Sequence, residues 1–142
     1  MMLDCLVLGD SIAVGIAMNR PECAQIAHSG INSDVYIKTY ITRPLLDMAS
    51  YKTVIISLGT NDLVASHTES SLSQLRSRLS ADRVIWILPS SALKPKQRGI
   101  VTEIALRHRD ATVSIPDQWL GHDRIHPTGA GYRWIAQQTQ QR

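Results

Sequence analysis

The sequence predicts an α/β fold with a mostly parallel sheet of about five strands. Short apolar runs recur along the chain, and each is bounded by polar residues, glycine or proline. Their apolarity is continuous rather than alternating, which is typical of strands buried on both faces of a parallel sheet. Segments with helical periodicity separate the runs. Strand and helix therefore alternate from end to end, joined by right-handed crossovers.

The positions of the strands determine where the loops lie. Three runs are strongly apolar, a fourth is weaker, and a short segment after the first helix is a further candidate. In chain order the predicted strands are 3–8, 23–28, 54–58, 84–88 and 111–115. Open parallel sheets bind ligands at the carboxyl ends of their strands, so functional residues are expected in the loops that follow these segments.

The segments between the strands are predicted to be helices. Leu72, Leu75 and Leu79 recur at i, i+3 and i+7, the spacing of one helical face. Two of the helices are short: the first ends before Pro21, and Pro44 breaks the second, since proline cannot continue a helix. In chain order the predicted helices are 12–18, 33–42, 72–79, 100–105 and 128–140.

The bulk composition is that of one folded domain. The chain has 142 residues, of which 44% are hydrophobic and 19% charged, far from the balance of a disordered chain. No repeat or linker interrupts it, so we expect a single domain over 1–142. Cys5 and Cys23 are expected to be buried free thiols, because two cysteines do not make a disulfide framework in a chain of this length.

Charge and hydropathy argue against several classes of partner. The net charge is +3, but the basic residues are scattered and aromatic residues make up only 5%. No nucleic-acid motif occurs, so no nucleic-acid partner is expected. No stretch reaches the about 18 apolar residues of a membrane span, and no basic leader is present. We expect no membrane partner and, by default, a cytoplasmic location; the sequence makes no prediction of oligomeric state.

The stretch LGDSIAVG, at 8–15, places a serine directly after the first strand. If Gly9 and Asp10 turn the chain sharply, Ser11 lies in the first turn of the next helix, where free N–H groups and the helix dipole favour developing negative charge. That position suits a nucleophile. Alternatively, Asp10 and Ser11 are ordinary capping residues, with the carboxylate of Asp10 fixing the turn. Neither a P-loop nor a dinucleotide fingerprint fits the glycine spacing.

Two further loops are predicted to open beside Ser11. The run 54–58 ends in GTND, and if the first and third strands are neighbours, the Asn61 amide can point at the same spot. HSGIN follows the second strand and contains Gly30, which lets a backbone N–H approach a ligand closely. The alternative for both loops is an ordinary turn, because glycine and asparagine are turn formers.

A histidine and a carboxylate stand together in DRIHPTGAGY, near the end of the chain. A serine hydroxyl is a poor nucleophile until a base takes its proton, and that base must be oriented by an acid. Asp123 and His126, three residues apart, can fill these roles; alternatively, His126 caps the last helix. The remaining histidines lack such a setting, although His28 or His67 could line a pocket.

The stretch HDRIH, at 122–126, also imitates the spacing of a zinc protease motif, with Asp123 in place of its glutamate. That motif works only on a helix, and Pro127 disfavours helical geometry at His126. No third ligand is evident. A zinc-dependent hydrolase stays open as an alternative, but no metal is expected.

In their order along the chain, GDS, HSGIN, GTND and DRIHP resemble the four blocks of the SGNH hydrolase superfamily, also called the GDSL esterase/lipase family. The resemblance spans the chain from Gly9 to His126. It implies a single-domain, flavodoxin-like, three-layer α/β/α sandwich that hydrolyses acyl esters through an acyl-enzyme and without a cofactor.

The resemblance also implies a role for each matched residue. Ser11 would attack the acyl carbon, His126 would act as base and then acid, and Asp123 would orient the imidazole. The oxyanion hole would consist of the Ser11 N–H, the Gly30 N–H and the side-chain amide of Asn61. One departure is Ile12, where the family usually has leucine, a near-isosteric change that should leave the chemistry intact.

The short chain leaves little room for insertions that would cover the site, so an open cleft is expected. Such a cleft favours a short acyl group, such as acetyl, on a carbohydrate or another small ester. Trp119 could stack on a sugar ring, although core packing is the alternative for it. A non-catalytic binding module on the same fold is the other alternative to an esterase.

Overall fold

The computed structural model describes residues 2–40 and 50–140, and strands alternate with helices through both ranges. The strands are β1 (Met2–Gly9), β2 (Ala24–Ala27), β3 (Ser50–Ser57), β4 (Ala81–Ile87) and β5 (Ala111–Val113). The helices are α1 (Ser11–Met18), α2 (Ser33–Tyr40), α3 (Ala65–Ser77), α4 (Pro95–His108) and α5 (Gly129–Gln140), with a 3-10 turn at Asp117–Trp119. The predicted elements are confirmed, except that positions 41 and 42 of the second helix lie outside the described residues.

The five strands form one sheet in the order β2-β1-β3-β4-β5, and every pair in it is parallel. Because β1 lies between β2 and β3 and pairs with both, the loop after β1 opens beside the loop after β3. The prediction that the first and third strands are neighbours is therefore confirmed.

Helices cover both faces of the sheet, which explains why the strands read as continuous apolar runs. In β1, Leu6 and Leu8 pack into the core shared with α2, α3 and α4, whereas Val7 packs on the opposite face against α1 and α5. All three side chains have no solvent exposure. The predicted three-layer α/β/α sandwich is confirmed.

The expectation of free thiols is wrong, because Cys5 and Cys23 form a disulfide. The parallel register pairs Leu6 with Ala24, so Cys5 lies beside Cys23 with the Cα atoms 4.7 Å apart, a usual span for this bond. Strand register cannot be deduced from cysteine spacing. Disulfides are rare in cytosolic proteins, so this bond argues against the cytoplasmic location expected by default.

Removing the disulfide should destabilise the edge of the sheet, because among the described strands β2 pairs only with β1. The double variant Cys5→Ala/Cys23→Ala is expected to lose about 2–4 kcal/mol of unfolding free energy. Urea denaturation of the variant, and of the parent protein with and without a dithiol reductant, measures the difference. Equal urea midpoints for all three samples would show that the disulfide does not stabilise the fold.

No helix within 2–40 or 50–140 combines the length and apolarity that crossing a membrane requires.

Candidate active site

The turn between β1 and α1 places Ser11 at the carboxyl edge of the sheet. Gly9 has a φ of 137°, and a Cβ at this position would collide with the Ser57 carbonyl of β3, so only glycine fits. Asp10 caps α1: its Oδ1 accepts the N–H of Ile12 at 3.0 Å and that of Ala13 at 3.5 Å. Ser11 is therefore the first residue of α1, as predicted.

Ser11, His126 and Asp123 form a connected chain of side chains. The Oγ of Ser11 lies 3.0 Å from Nε2 of His126, across 115 positions of sequence. Nδ1 of His126 lies 2.6 Å from Oδ2 of Asp123. With Nδ1–H donated to the carboxylate, Nε2 is left free to accept the proton of the serine hydroxyl. This is the geometry that activates a serine as a nucleophile.

The loop that carries Asp123 and His126 is closed at its base and anchored on α5. The Gly121 N–H donates to the His126 carbonyl at 2.8 Å, and the Thr128 N–H donates to the Trp119 carbonyl at 2.8 Å. Gly131 of α5 lies so close to the Trp119 carbonyl that no Cβ fits there. These contacts hold the imidazole over Ser11. Trp119 itself is half-buried.

Three N–H donors belong to the loops around Ser11. Gly30 follows β2 with a φ of 79°, and Asn61 follows β3. Asn61 Nδ2 donates one hydrogen to the Ile31 carbonyl at 3.1 Å, which leaves the other available. Within the described residues, neither the Ser11 N–H nor the Gly30 N–H has an acceptor. Free donors of this kind can stabilise an oxyanion.

Solved structures of known hydrolases resemble this fold. A lipase/acylhydrolase from Enterococcus faecalis is 16% identical, with a TM-score of 0.66 over 94% of this chain and 92% of that one. A GDSL-like lipase from Bacteroides thetaiotaomicron is 16% identical, with a TM-score of 0.62 over 95% of this chain and 84% of that one. An acetyl xylan esterase from Geobacillus stearothermophilus is 16% identical, with a TM-score of 0.65 over 94% of this chain and 90% of that one.

The chain has the SGNH hydrolase fold. At these identities the likeness concerns the fold alone. No protein-family model matches the sequence, and no curated protein matches it either. The roles of individual residues in this SGNH fold therefore depend on the geometry of the site.

The HDRIH stretch of this SGNH fold is a closed loop rather than a helix, so His122 and His126 do not share a helical face. Both oxygens of Asp123 are engaged with residues of the same loop. Within the described ranges, the one group of side chains near enough to share an ion is Cys5, Glu22 and Cys23, and its two sulfurs are bonded to each other. The zinc alternative is not favoured.

Asp62 links the loops that carry Gly30 and Asn61. It is only 3% exposed; its Oδ1 accepts the Ser33 N–H at 2.7 Å and its Oδ2 accepts the Thr68 hydroxyl at 2.6 Å. The GTND motif indicates a turn but does not reveal this bond to the neighbouring loop, because the partner of Asp62 depends on the tertiary fold.

Asp123 remains ionised in neutral and mildly acidic solution. The hydrogen bond to His126 lowers its pKa to about 2, with help from the backbone N–H groups of His126 and Ile125. The carboxylate therefore stays available to orient the imidazole in neutral and mildly acidic solution.

Asp10 has the opposite environment. Burial raises its pKa to about 6, although hydrogen bonds from Ser57, Ile12 and Ala13 partly offset this. Those bonds all go to Oδ1, while Oδ2 is buried without a partner within the described residues. Its role as the structural partner of the turn, expected from the sequence, fits these contacts.

Asp10→Asn should change how stability depends on pH. In the parent, the raised pKa means that the folded state holds a proton that the unfolded state releases, so stability falls as pH rises from about 4 to about 6. The shift from 3.8 to about 6 corresponds to about 3 kcal/mol. Asparagine keeps the Oδ1 acceptor and cannot ionise. Relative to the parent, the variant should gain up to that amount between about pH 4 and pH 7, measured by urea denaturation. If the unfolding free energies of variant and parent differ by the same amount at both pH values, the Asp10 carboxyl does not have a raised pKa.

Removing the side-chain donor of Asn61 should slow catalysis without weakening substrate binding. Asn61→Ala is expected to lower kcat for p-nitrophenyl acetate by about 10²–10³-fold, with little change in KM, because an oxyanion donor acts in the transition state. Asn19→Ala, at the end of α1, is the matched control. A parent-like kcat for Asn61→Ala would show that Asn61 is not an oxyanion donor.

Proposed function

We propose that this protein is a serine hydrolase that cleaves acyl esters, built as a single domain over 1–142. The observation that carries the proposal is the 3.0 Å approach of Ser11 Oγ to His126 Nε2, with Asp123 at 2.6 Å behind the ring. A turn or a helix cap would not require these three side chains to meet. The relatedness in fold to acylhydrolases and esterases supports the same conclusion.

The first half-reaction transfers the acyl group to the enzyme. Ser11 Oγ attacks the carbonyl carbon while His126 Nε2 takes its proton. The oxygen that gains negative charge is stabilised by the N–H groups of Ser11 and Gly30 and by the amide of Asn61. His126 then gives the proton to the alcohol oxygen as the ester bond breaks, and the acyl group remains on Ser11.

The second half-reaction releases the acid. A water molecule attacks the acyl-enzyme, His126 takes the proton of the water, and the same donors hold the oxyanion. His126 returns the proton to Ser11 Oγ as the acyl bond breaks. One ester and one water molecule become one alcohol and one carboxylic acid, and no cofactor or metal takes part. Asp123 stays ionised throughout and holds the imidazole in the productive tautomer.

The substrate is a short-chain ester, such as an acetyl ester of a carbohydrate or another small alcohol. Ser11 is only partly buried and Gly30 is exposed, so the described part of the site is open and favours a small acyl group. A similar structure is that of an acetyl xylan esterase. We propose neither a nucleic-acid nor a membrane partner.

A panel of p-nitrophenyl acetate, butyrate, octanoate and dodecanoate tests the proposal. The acetate and butyrate should give the highest kcat/KM, and a chelator should not affect the rate. Preference for dodecanoate would contradict the short acyl group. Activity that a chelator abolishes and a fluorophosphonate leaves intact would support the zinc alternative. Absence of both hydrolysis and labelling would support a binding module.

A further inference from the structure

A groove runs along the outside of the Gly30 loop. Its first part is a cavity of about 370 Å³ between that loop and α2, lined by His28 and Gly30 among others. Its second part is a cavity of about 200 Å³ between α2 and the start of α3, lined by Leu63 and His67 among others. Asn32 lines both parts, so we treat them as one surface, the α2 groove.

The α2 groove offers several hydrogen-bonding groups that have no partner among the described residues. Asn32 Oδ1 accepts the Val35 N–H at 2.8 Å and so caps α2, but the Nδ2 group has no acceptor within the described residues. Within the described residues, the rings of His28 and His67 have no hydrogen-bond partner either. The Asn32 Nδ2 group can donate to a ligand hydroxyl, and each imidazole can donate to one or accept from one.

The charged residues of the groove do not favour an ionic ligand. Its described lining contains neither lysine nor arginine. Asp34 is paired with Lys38 at 3.1 Å, and both carboxylate oxygens of Asp62 are hydrogen-bonded. On these residues a phosphate or carboxylate ligand would therefore find no lysine or arginine, and an ammonium ligand would find no unpaired carboxylate. The lining suits a neutral polar ligand.

Apolar side chains stand between these polar groups. Val35 is 46% exposed and Leu63 is 91% exposed, and both line the groove. A pyranose ring has hydroxyls along its edge and C–H groups on its faces, so it can use both kinds of group at once. A long acyl chain would desolvate His28, Asn32 and His67 without pairing them, which is unfavourable.

The chemistry of an ester directs the alcohol toward the α2 groove. Esters adopt the Z conformation, in which the first carbon of the alcohol lies on the same side as the carbonyl oxygen. In the proposed mechanism the Gly30 N–H binds that oxygen, and Gly30 also lines the groove. The alcohol therefore passes Gly30 and enters the groove, while the acyl group points away from it.

We propose that the α2 groove binds the neutral pyranose ring that carries the acyl ester, with Asn32 and His28 as specificity residues. This inference depends on the proposed function for the direction in which the substrate lies. The ring is the alcohol part of the substrate, and the α2 groove is the surface that binds it.

A matched pair of substrates tests this assignment: a mono-O-acetyl methyl xylopyranoside, and cyclohexyl acetate, which has the same ring size without hydroxyls. The parent should prefer the sugar acetate in kcat/KM. Asn32→Ser retains a good helix cap but cannot reach the groove, and it should lower that preference by about tenfold or more, since a site built for hydroxyls loses its discrimination with its donors. His28→Leu should act in the same direction.

Asn19→Ser is the control, because Asn19 lies at the end of α1 and bonds the Gly15 carbonyl; its substrate preference should equal that of the parent. Equal kcat/KM for both acetates in the parent, or an unchanged preference in both groove variants, would overturn the assignment while hydrolysis itself stands.

A binding measurement separates the groove from the chemistry. Saturation-transfer NMR with methyl xylopyranoside should show transfer from the parent and from Ser11→Ala, and reduced transfer from Asn32→Ser. If no ester is hydrolysed but this pattern holds, the proposed function fails and only the binding of a pyranose ring in the α2 groove stands. If the parent gives no transfer, the groove assignment is wrong.

Discussion

Ser11→Ala is expected to lower kcat for p-nitrophenyl acetate by about 10⁶-fold, because members of a catalytic triad act as a unit. The variant lacks the oxygen that lies 3.0 Å from Nε2 of His126, so the base has no proton to take. Steady-state hydrolysis, followed by release of p-nitrophenol, measures the loss. Ser77→Ala, at the exposed end of α3, is the matched control and should keep the parent rate. A parent-like rate for Ser11→Ala would refute the nucleophile.

Asp123→Asn is expected to lower kcat by about 10⁴-fold with little change in fold. An asparagine amide can donate to Nδ1 of His126, which would shift the ring proton to Nε2 and leave that nitrogen unable to accept the proton of Ser11. The same kinetic assay measures the effect. The pKa of the native carboxylate is about 2, so protonation of Asp123 should not limit the rate in mildly acidic buffers.

Asp117→Asn is the control for the loss of a negative charge, since Asp117 is exposed in the 3-10 turn ahead of the loop. If Asp117→Asn and Asp123→Asn reduce kcat equally, net charge rather than tautomer control explains the result, and the orienting role of Asp123 is wrong.

The order of elements and the layers could be predicted from sequence because burial on both faces leaves a direct signature. Leu6, Val7 and Leu8 are consecutive apolar residues that face alternate cores, and only a strand covered on both sides requires all three to be apolar. The helices follow from their periodicity, and the end of α1 also follows from Pro21.

The meeting of Ser11 and His126 could also be predicted, because loops at the carboxyl ends of parallel strands share one edge of the sheet. Other features depend on register and on contacts between loops, which local sequence does not encode. The disulfide follows from the pairing of Leu6 with Ala24, and the bond from Ser33 to Asp62 follows from the packing of α2 beside the loop after β3. The α2 groove likewise exists only once these elements have packed.

Covalent labelling tests whether His126 activates Ser11 as a nucleophile. Incubation with a fluorophosphonate, followed by intact-mass and peptide mass spectrometry, should show one adduct, located on Ser11. Ser11→Ala should show none, and His126→Ala should react far more slowly. An adduct on a different residue, or an unlabelled Ser11 in a protein that still hydrolyses esters, would show that Ser11 is not the nucleophile.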